Sequence, residues 1–287
     1  MKFSVSKDKL LEGLSTVQNV VSTRTTLPIL SNVLLQASDR EIQLTTTDLD
    51  VGIRGSVEAE VERTGATTLP ARRLLSIVRE LPSSEIYFDV DTKNFASIRS
   101  GSSYFKILGL PEEEFPSLAR FEEAKIFTIA QKDLKDGLKK TSYAISVDET
   151  RYVLNGILFS FKDDKLTLVA TDGRRLALVD LEVEFPRSQE TEVIIPTKAV
   201  TEIQRLVREE GEVKLSIGEN QIAFELNRTL LVSKADRREL RQLSPSDSFR
   251  GERTDHPRTA DFPYRRSPSF ASGERKVELG QTDLFEE

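Results

Sequence analysis

The sequence predicts an α+β fold made of two copies of one module. The six residues that begin at Leu30 (Leu-Ser-Asn-Val-Leu-Leu) return at Leu154 as Leu-Asn-Gly-Ile-Leu-Phe, 124 residues later. At the same spacing Thr47 returns as Thr171, each followed by aspartate. A period this long indicates a duplicated domain rather than a solenoid of short repeats. In each copy, stretches of helical periodicity alternate with short strands, which is typical of α+β packing on antiparallel sheets.

Each copy begins with an amphipathic helix and carries a second helix near its middle. The first helix is predicted from about Lys7 to Val20, because apolar residues recur there at helical spacing, and its counterpart starts near Lys132. The second helix follows Pro70 in one copy and Pro196 in the other, since proline suits the start of a helix. We therefore expect two helices in each copy.

The strands are short segments rich in Val, Ile, Leu and Thr. In the first copy they are predicted at 31–37, 42–46, 51–61, 86–90, 96–100 and 103–108. In the second copy they are predicted at 156–161, 166–170, 176–181, 213–217, 221–226 and 229–233. Because the predicted elements follow the same order in both copies, we expect two domains of one fold, at 1–122 and 123–234. They are called module 1 and module 2 below.

The composition excludes several kinds of site. The chain has no cysteine, which excludes disulfides, thiolate metal sites and a cysteine nucleophile. Its single histidine, His256, excludes a multi-histidine metal site and leaves little room for a Ser-His-Asp triad. No metal or cofactor is therefore predicted. No apolar run approaches the roughly 18–20 residues that cross a bilayer, so we expect a cytoplasmic protein.

The second helix of each module is cationic on its polar side. A helix that buries one stripe and exposes cations on the other can follow DNA phosphates without reading bases, and an ordinary solvated surface is the alternative. The net charge of −6 argues against non-specific binding of DNA over the whole protein surface, but it permits a local basic surface. The cations are Arg72, Arg73 and Arg79 in module 1, and Lys198, Arg205 and Arg208 in module 2.

An enzyme is an alternative of another class. Asp48 and Asp172 recur at the repeat spacing and could suggest paired carboxylates for acid chemistry. Equivalent positions of duplicated domains more often mark a structural turn, and the sequence offers no nucleophile–base pair or phosphate-binding glycine loop. We therefore expect no catalytic activity.

Residues 1–234 resemble the bacterial replicative sliding clamp, the beta subunit of DNA polymerase III. The resemblance implies a DNA clamp fold of three similar domains, two chains of which join head to tail in a ring of six. In that ring helices line the hole, and the DNA threaded through it keeps the polymerase tethered. The segments that carry the resemblance are TLPILSNVLL at 26–35, TDL at 47–49, LPAR at 69–72, RYVLNG at 151–156 and ATDGRRLA at 170–177.

The resemblance also implies two sets of binding residues. One would face double-stranded DNA without sequence specificity, and the other would form one wall of a cleft for short peptide motifs of the polymerase III alpha subunit and the clamp loader. Such a cleft needs an apolar floor and an open turn, which glycine permits. The DNA set is Arg24, Arg72, Arg73, Lys198 and Arg205, and the cleft set is Leu154, Thr171, Gly173, Arg174, Arg175 and Leu176.

The resemblance ends at Lys234. Residues 235–287 lack sustained periodicity and are rich in Arg, Ser and Pro, so we expect a disordered tail and no third domain. One permitted set of codons for residues 235–248, read one base later, encodes Leu-Ile-Glu-Gly-Asn-Tyr-Ala-Asn-Tyr-Arg-Gln-Val-Ile, which resembles the family's continuation. We therefore hypothesise a frameshift after codon 234.

The expected loss of the third domain has a functional consequence. The family's homodimer closes through that domain, so we expect this chain to be a truncated form that cannot close the ring. An alternative is a two-domain interaction fragment that keeps part of the peptide cleft. The tail also contains Gln281–Phe285 (Gln-Thr-Asp-Leu-Phe), which resembles the Gln-x-x-Leu-Phe peptides of clamp partners, and accident is the preferred interpretation.

Overall fold

A computed structural model describes residues 1–21, 27–82, 84–118, 121, 124–148, 150–151 and 153–235. Arg24 and nearly all of the expected disordered tail, with its Gln281–Phe285 motif, lie outside these residues. The described residues belong to one compact unit. None of the helices in these ranges is long and apolar enough to span a bilayer.

The α+β prediction is confirmed, with two helices in each module. The helices are α1 (Lys7–Val17), α2 (Ala71–Glu80), α3 (Gln131–Thr141) and α4 (Thr197–Leu206). The strands of module 1 are β1 (Lys2–Ser6), β2 (Asn32–Ser38), β3 (Glu41–Thr47), β4 (Val51–Glu58), β5 (Glu60–Arg63), β6 (Gly65–Pro70), β7 (Glu85–Val90), β8 (Phe95–Ser100) and β9 (Ser103–Leu108). Those of module 2 are β10 (Lys125–Ala130), β11 (Gly156–Lys162), β12 (Lys165–Thr171), β13 (Leu176–Glu182), β14 (Thr191–Pro196), β15 (Glu212–Ile217), β16 (Gln221–Leu226) and β17 (Thr229–Lys234).

The structure differs from the sequence prediction at a few elements. The first helix ends at Val17 and continues as a 3-10 turn, Gln18–Val20. The strand predicted at 51–61 is two strands, β4 and β5, because Ala59 bonds instead to Arg40 in the neighbouring turn. Strands β1, β6, β10 and β14 were not predicted. Each of these four runs directly into a helix, and this continuity hides the boundary where the periodicity changes.

All strand pairs are antiparallel and form three sheets. Module 1 has a sheet of order β5-β1-β7-β8-β9, and module 2 has a sheet of order β13-β12-β11-β14. The third sheet has eight strands, four from each module, in the order β10-β15-β16-β17-β4-β3-β2-β6. The modules therefore share one sheet, which is continuous across the pairing of β17 with β4.

The hydrophobic core follows the helical and strand periodicities of the sequence. Leu10, Leu14 and Val17 form the buried stripe of α1, which packs against β3 and β4. Aromatic rings pack in both modules, with Phe3 stacked on Phe88 at 4.7 Å in module 1. Most of the buried apolar side chains form one continuous cluster through both modules, which fixes the helices on their sheets, and a second, smaller cluster lies in module 1.

The four helices form a continuous row. α1 packs on α2 in module 1, and α3 packs on α4 in module 2. The row is joined at its centre by Arg205 of α4, whose guanidinium donates to the carbonyl oxygens of Ser15 (3.2 Å) and Thr16 (2.5 Å) at the end of α1. The order along the row is therefore α2, α1, α4, α3.

Candidate nucleic-acid interface and peptide cleft

Two arginines of α2 are exposed on the side of the helix that faces away from the sheet. The helix buries Ala71, Leu74 and Val78 against the sheet, and the 3.6-residue period then turns Arg72 and Arg73 outward. Neither arginine forms an ion pair with any residue the structure describes, so their charge is not neutralised within the described fold. This placement is compatible with their predicted contact with DNA, which stays a prediction.

Of the three cations predicted on the second helix of module 2, Arg208 lies beyond the end of α4 at Leu206, and the other two are already engaged. Lys198 contacts the carboxylate of Asp48, which lies in the β3–β4 turn of module 1. Arg205 pairs with Glu202 at 2.7 Å while it donates to the carbonyls of Ser15 and Thr16. Both side chains therefore hold the modules together, a role that the sequence did not predict, and their contact with DNA stays a prediction.

The lysines of α3 were not among the residues predicted from the sequence to face DNA. Lys132, Lys139 and Lys140 are exposed on this helix at one end of the row. The repeat could have predicted these exposed lysines. α3 is the counterpart of α1, so both helices present their polar sides in the same direction. The exposed side of the row also carries acids, among them Asp8 and Glu12 of α1, so its basic charge lies toward α2 and α3.

The turn between β12 and β13 is held by its own side chains. The Thr171 hydroxyl donates to the carbonyl oxygen of Arg175 (2.8 Å) and accepts from the N–H of Gly173 (3.1 Å). Asp172 Oδ1 accepts from the N–H groups of Arg174 (2.9 Å) and Arg175 (3.0 Å), and these bonds hold the pKa of Asp172 below its usual value. Gly173 has a φ of +86°, a conformation that glycine adopts without a Cβ clash.

A loop of module 2 lies beside this turn and brings part of the predicted cleft together. The guanidinium of Arg175 lies 5.6 Å from the centre of the Tyr143 ring, and a methyl group on Gly173 would lie 3.8 Å from Nη1 of Arg151. The carbonyl oxygen of Leu154 accepts from the N–H of Ser146 (3.0 Å), which folds the loop on itself. Leu154 therefore belongs to the loop whose other residues contact the turn.

The apolar residues of this region are exposed. Leu176 begins β13 and is 64% exposed, and Leu154 is half-buried. Tyr143 and Val147 also expose large apolar surface in the same loop, and they were not selected from the sequence. Exposed apolar side chains next to a turn that its own hydrogen bonds hold, such as Leu176 and Tyr143 here, are typical of a peptide-binding surface.

The recurring aspartates have a structural role. Asp48 Oδ1 accepts from the N–H groups of Asp50 (3.0 Å) and Val51 (2.8 Å), as Asp172 accepts from the two residues that follow Gly173. Each carboxylate therefore closes its own turn, which favours the structural interpretation over paired catalytic acids. Within the described residues, no group of three potential ligand side chains is placed to hold a metal ion.

Comparison with known families matches both modules in order. Residues 1–119 match the N-terminal domain of the DNA polymerase III beta subunit, and residues 128–235 match its central domain. This chain belongs to the beta sliding clamp family. Beta clamps are accessory subunits of DNA polymerase III and not its catalytic subunit, so the expectation of a non-enzymatic protein is confirmed at the level of the family.

Individual relatives agree with this assignment. The beta sliding clamp of Chlamydia muridarum is 39% identical over 245 residues, which cover 85% of this chain and 67% of that protein. The clamp of Bacillus subtilis strain 168 is 33% identical over 243 residues, which cover 82% and 64%. The chain thus matches about two thirds or less of the length of these clamps.

Solved clamp structures share the fold. The sliding clamp of Bacillus subtilis superposes with a TM-score of 0.80 at 31% identity, over 86% of this chain and 68% of that one. A clamp from Pseudomonas aeruginosa, solved with griselimycin bound, superposes with a TM-score of 0.78 at 35% identity, over 82% and 64%. The expectation of a DNA clamp fold is therefore confirmed.

Proposed function

We propose that the two modules of this chain serve in a sliding-clamp processivity factor, which holds duplex DNA against a row of helices and tethers the replicative polymerase. The observation that carries the proposal is the row α2-α1-α4-α3, with Arg72 and Arg73 exposed at one end and the α3 lysines at the other. Membership in the beta clamp family supports it.

The charge distribution suits a surface that slides. Cations that meet phosphates attract DNA at long range and carry no sequence information, so every position along the duplex is equivalent. The net charge of −6 disfavours tight binding of DNA to the remaining surface of the protein. We infer weak, salt-sensitive contact with DNA that is confined to the helix row.

We also propose that the turn at 171–175, the loop around Leu154 and the exposed Leu176 form one wall of the cleft that takes partner peptides. The partners would be the polymerase III alpha subunit and the clamp loader. In a homodimer of three-domain clamps this wall would be completed by a third domain, which residues 1–234 do not contain. One copy of these two modules would therefore bind such peptides weakly.

Substitution of the two exposed arginines of α2 tests the DNA-binding proposal. We expect Arg72→Ala/Arg73→Ala to weaken binding to a short duplex at low ionic strength and to reduce the slope of log affinity against log salt by about 0.9 for each phosphate that is no longer neutralised. Fluorescence anisotropy across a salt series measures both quantities. Arg63→Ala is the matched control, because Arg63 is an exposed arginine on β5 that pairs with Asp89. Equally weakened binding in the control and the double variant would contradict the proposal.

The second candidate function is a two-domain interaction fragment without ring function, favoured by the match to only two domains of the family. Retention on nicked circular DNA separates the two. A closed ring stays on the circle at high salt and is released when the DNA is cut, whereas a fragment dissociates from both forms as salt rises. We expect a single copy of this chain to behave as the fragment.

A further inference from the structure

Residues 110–118, which follow β9, lie on module 1 as a segment that is attached at three points. The first point is Leu110, which forms an antiparallel bridge with Thr68 of β6. The N–H of Leu110 donates to the carbonyl oxygen of Thr68 (3.1 Å), and the N–H and hydroxyl of Thr68 both donate to the carbonyl oxygen of Leu110 (3.0 Å each). The segment therefore begins by adding to β6 as a short extra strand does.

Phe115 and Leu118 are the other two points of attachment. A 3-10 turn, Glu112–Glu114, exposes its three glutamates and is followed by Phe115, which is 7% exposed. Cδ2 of Leu118 occupies the space in which a Cβ on Gly52 of β4 would lie. The side chains around Phe115 are Ile29, Leu30 and Leu34. These three residues, with Gly52 and Thr68, are called the module 1 groove below.

The module 1 groove has counterparts in the proposed cleft wall of module 2. β2 pairs with β6 as β11 pairs with β14, so Leu30 corresponds to Leu154 at the repeat spacing of 124 residues. The same spacing relates Gly52 to Leu176, because the β3–β4 and β12–β13 pairings match. Gly52 has no side chain where Leu176 has one, and Leu118 fills the space. The segment thus lies on module 1 at the place where we propose that partner peptides lie on module 2.

We propose that module 1 has a peptide groove of its own and that segment 110–118 occupies it as an internal ligand. The groove takes short peptides with two large apolar side chains three positions apart, as Phe115 and Leu118 are. A separate peptide of this class binds there only while the segment is detached. The inference does not depend on the proposed cleft of module 2, because the occupant of the module 1 groove is part of the described structure.

The packing of the segment allows it to detach without opening the core. Phe115 and the apolar groove residues around it form a small cluster that is separate from the main core cluster. Detachment breaks the bonds at Leu110 and uncovers this small cluster, and parts of a protein with few buried contacts open at a lower free energy than its core. The covalent tether gives the segment a high effective concentration at the groove, so it excludes free peptides in the wild-type chain.

A labelled peptide with the sequence of residues 110–118, added to the full chain, tests the proposal. We expect Phe115→Ala/Leu118→Ala to bind this peptide at least about tenfold more tightly than the wild type does, because the closed fraction lowers the apparent affinity of the wild type. Fluorescence anisotropy measures the affinity, and far-UV circular dichroism checks that the variant is folded. A peptide with alanine in place of its Phe and last Leu should bind neither protein. Equal affinity of the wild type and the variant, or no binding to the folded variant, would overturn the proposal.

Two glycines of β4 show whether the peptide binds at the groove. Gly52→Leu, added to the double variant, introduces the residue that module 2 has at this position and fills the place of Leu118, so the gain in affinity should be lost. Gly55→Ala is the matched control. A Cβ on Gly55 would lie 3.6 Å from Val17 of α1, an ordinary contact away from the groove, and the gain should remain. Full binding with Gly52→Leu, or an equal loss with Gly55→Ala, would also overturn the proposal.

Hydrogen exchange tests the detachment in the wild-type chain without any substitution. We expect the amide hydrogens of Leu110 and Phe115, which are hydrogen-bonded to Thr68 and Glu112, to exchange faster than those within β8. Such a difference shows that the segment opens on its own. Exchange of Leu110 and Phe115 only at the rate of β8, which requires unfolding of the module, would contradict an internal ligand that can leave its groove.

Discussion

Asp48 and Asp172 show how one residue type at equivalent positions keeps a local role while its surroundings diverge. Both carboxylates accept two backbone N–H bonds in a strand-to-strand turn. Asp48 also contacts Lys198 of the other module, whereas Asp172 pairs with Arg175 in its own turn at 3.0 Å. The sequence predicted the shared turn because it repeats. It did not predict these partners, which differ between the modules.

Glu58 is the residue whose ionisation most clearly stabilises the module junction. Hydrogen bonds from Lys9 of α1 (2.7 Å) and Arg228 of module 2 (2.8 Å) lower the pKa of Glu58 from 4.5 to about 2. Since the folded-state pKa lies below the unfolded one, its stabilisation is complete above pH 4.5 and is lost as pH falls through about 2.

We therefore expect Glu58→Gln to lower the free energy of unfolding at neutral pH and to lose less stability than the wild type on acidification. Urea unfolding followed by far-UV circular dichroism at a series of pH values measures the difference. Glu219→Gln, at an exposed carboxylate before β16, is the control and should follow the wild type. A constant gap between Glu58→Gln and the wild type down to about pH 2 would contradict this role.

Among the elements, those with strong periodicity were predicted and those defined by distant partners were not. α2 and α4 start directly after Pro70 and Pro196, as predicted. Proline has no backbone N–H, and it is tolerated at the start of a helix because the first N–H groups there have no partner within the helix. β1 and β10 are short and continue directly into helices. Their alternation of buried and exposed residues therefore covers too few positions to be recognised in the sequence. The pairing of β17 with β4 joins residues about 180 positions apart, which no local pattern encodes.

Arg205 is the main side-chain contact between the helices of the two modules. Its guanidinium bonds to two carbonyl oxygens of α1 and to Glu202. We expect Arg205→Ala to lower the free energy of unfolding by about 1–2 kcal/mol, since these are hydrogen bonds from a charged donor. Chemical denaturation measures the change. Arg208→Ala removes one contact of 3.5 Å to Glu12 and should cost less, and equal destabilisation by the two variants would contradict the assignment.

The turn at 171–175 and the loop that contains Tyr143 lie next to each other in the proposed cleft wall. Because Tyr143 lies against Arg175, we expect Tyr143→Ala to weaken the binding of a Gln-x-x-Leu-Phe peptide without lowering the melting temperature. Isothermal titration calorimetry measures the affinity. Tyr87→Ala, at an exposed tyrosine on β7, is the control. If the Tyr143 variant binds the peptide with the affinity of the wild type, the peptide does not contact Tyr143 and the proposed cleft wall is wrong.

At the scale of the molecule, duplication explains both what the sequence predicted and what it missed. The repeat and the family segments predicted two modules of one fold and placed Arg72 and Arg73 on an exposed helix surface. They did not indicate that Lys198 and Arg205 are engaged at the junction, because the partners of these cations lie in the other module.

Both modules are proposed to present one helix surface to DNA, and a chain without cysteine allows a direct test of this arrangement. Single variants Ser76→Cys on α2, Thr201→Cys on α4 and Ser97→Cys on the outer side of β8 carry a thiol-linked environment-sensitive dye, and emission is measured as duplex DNA is added. We expect a salt-reversible change at both helix positions and none at Ser97. A change at Ser97 with none at the two helix positions would contradict the claim.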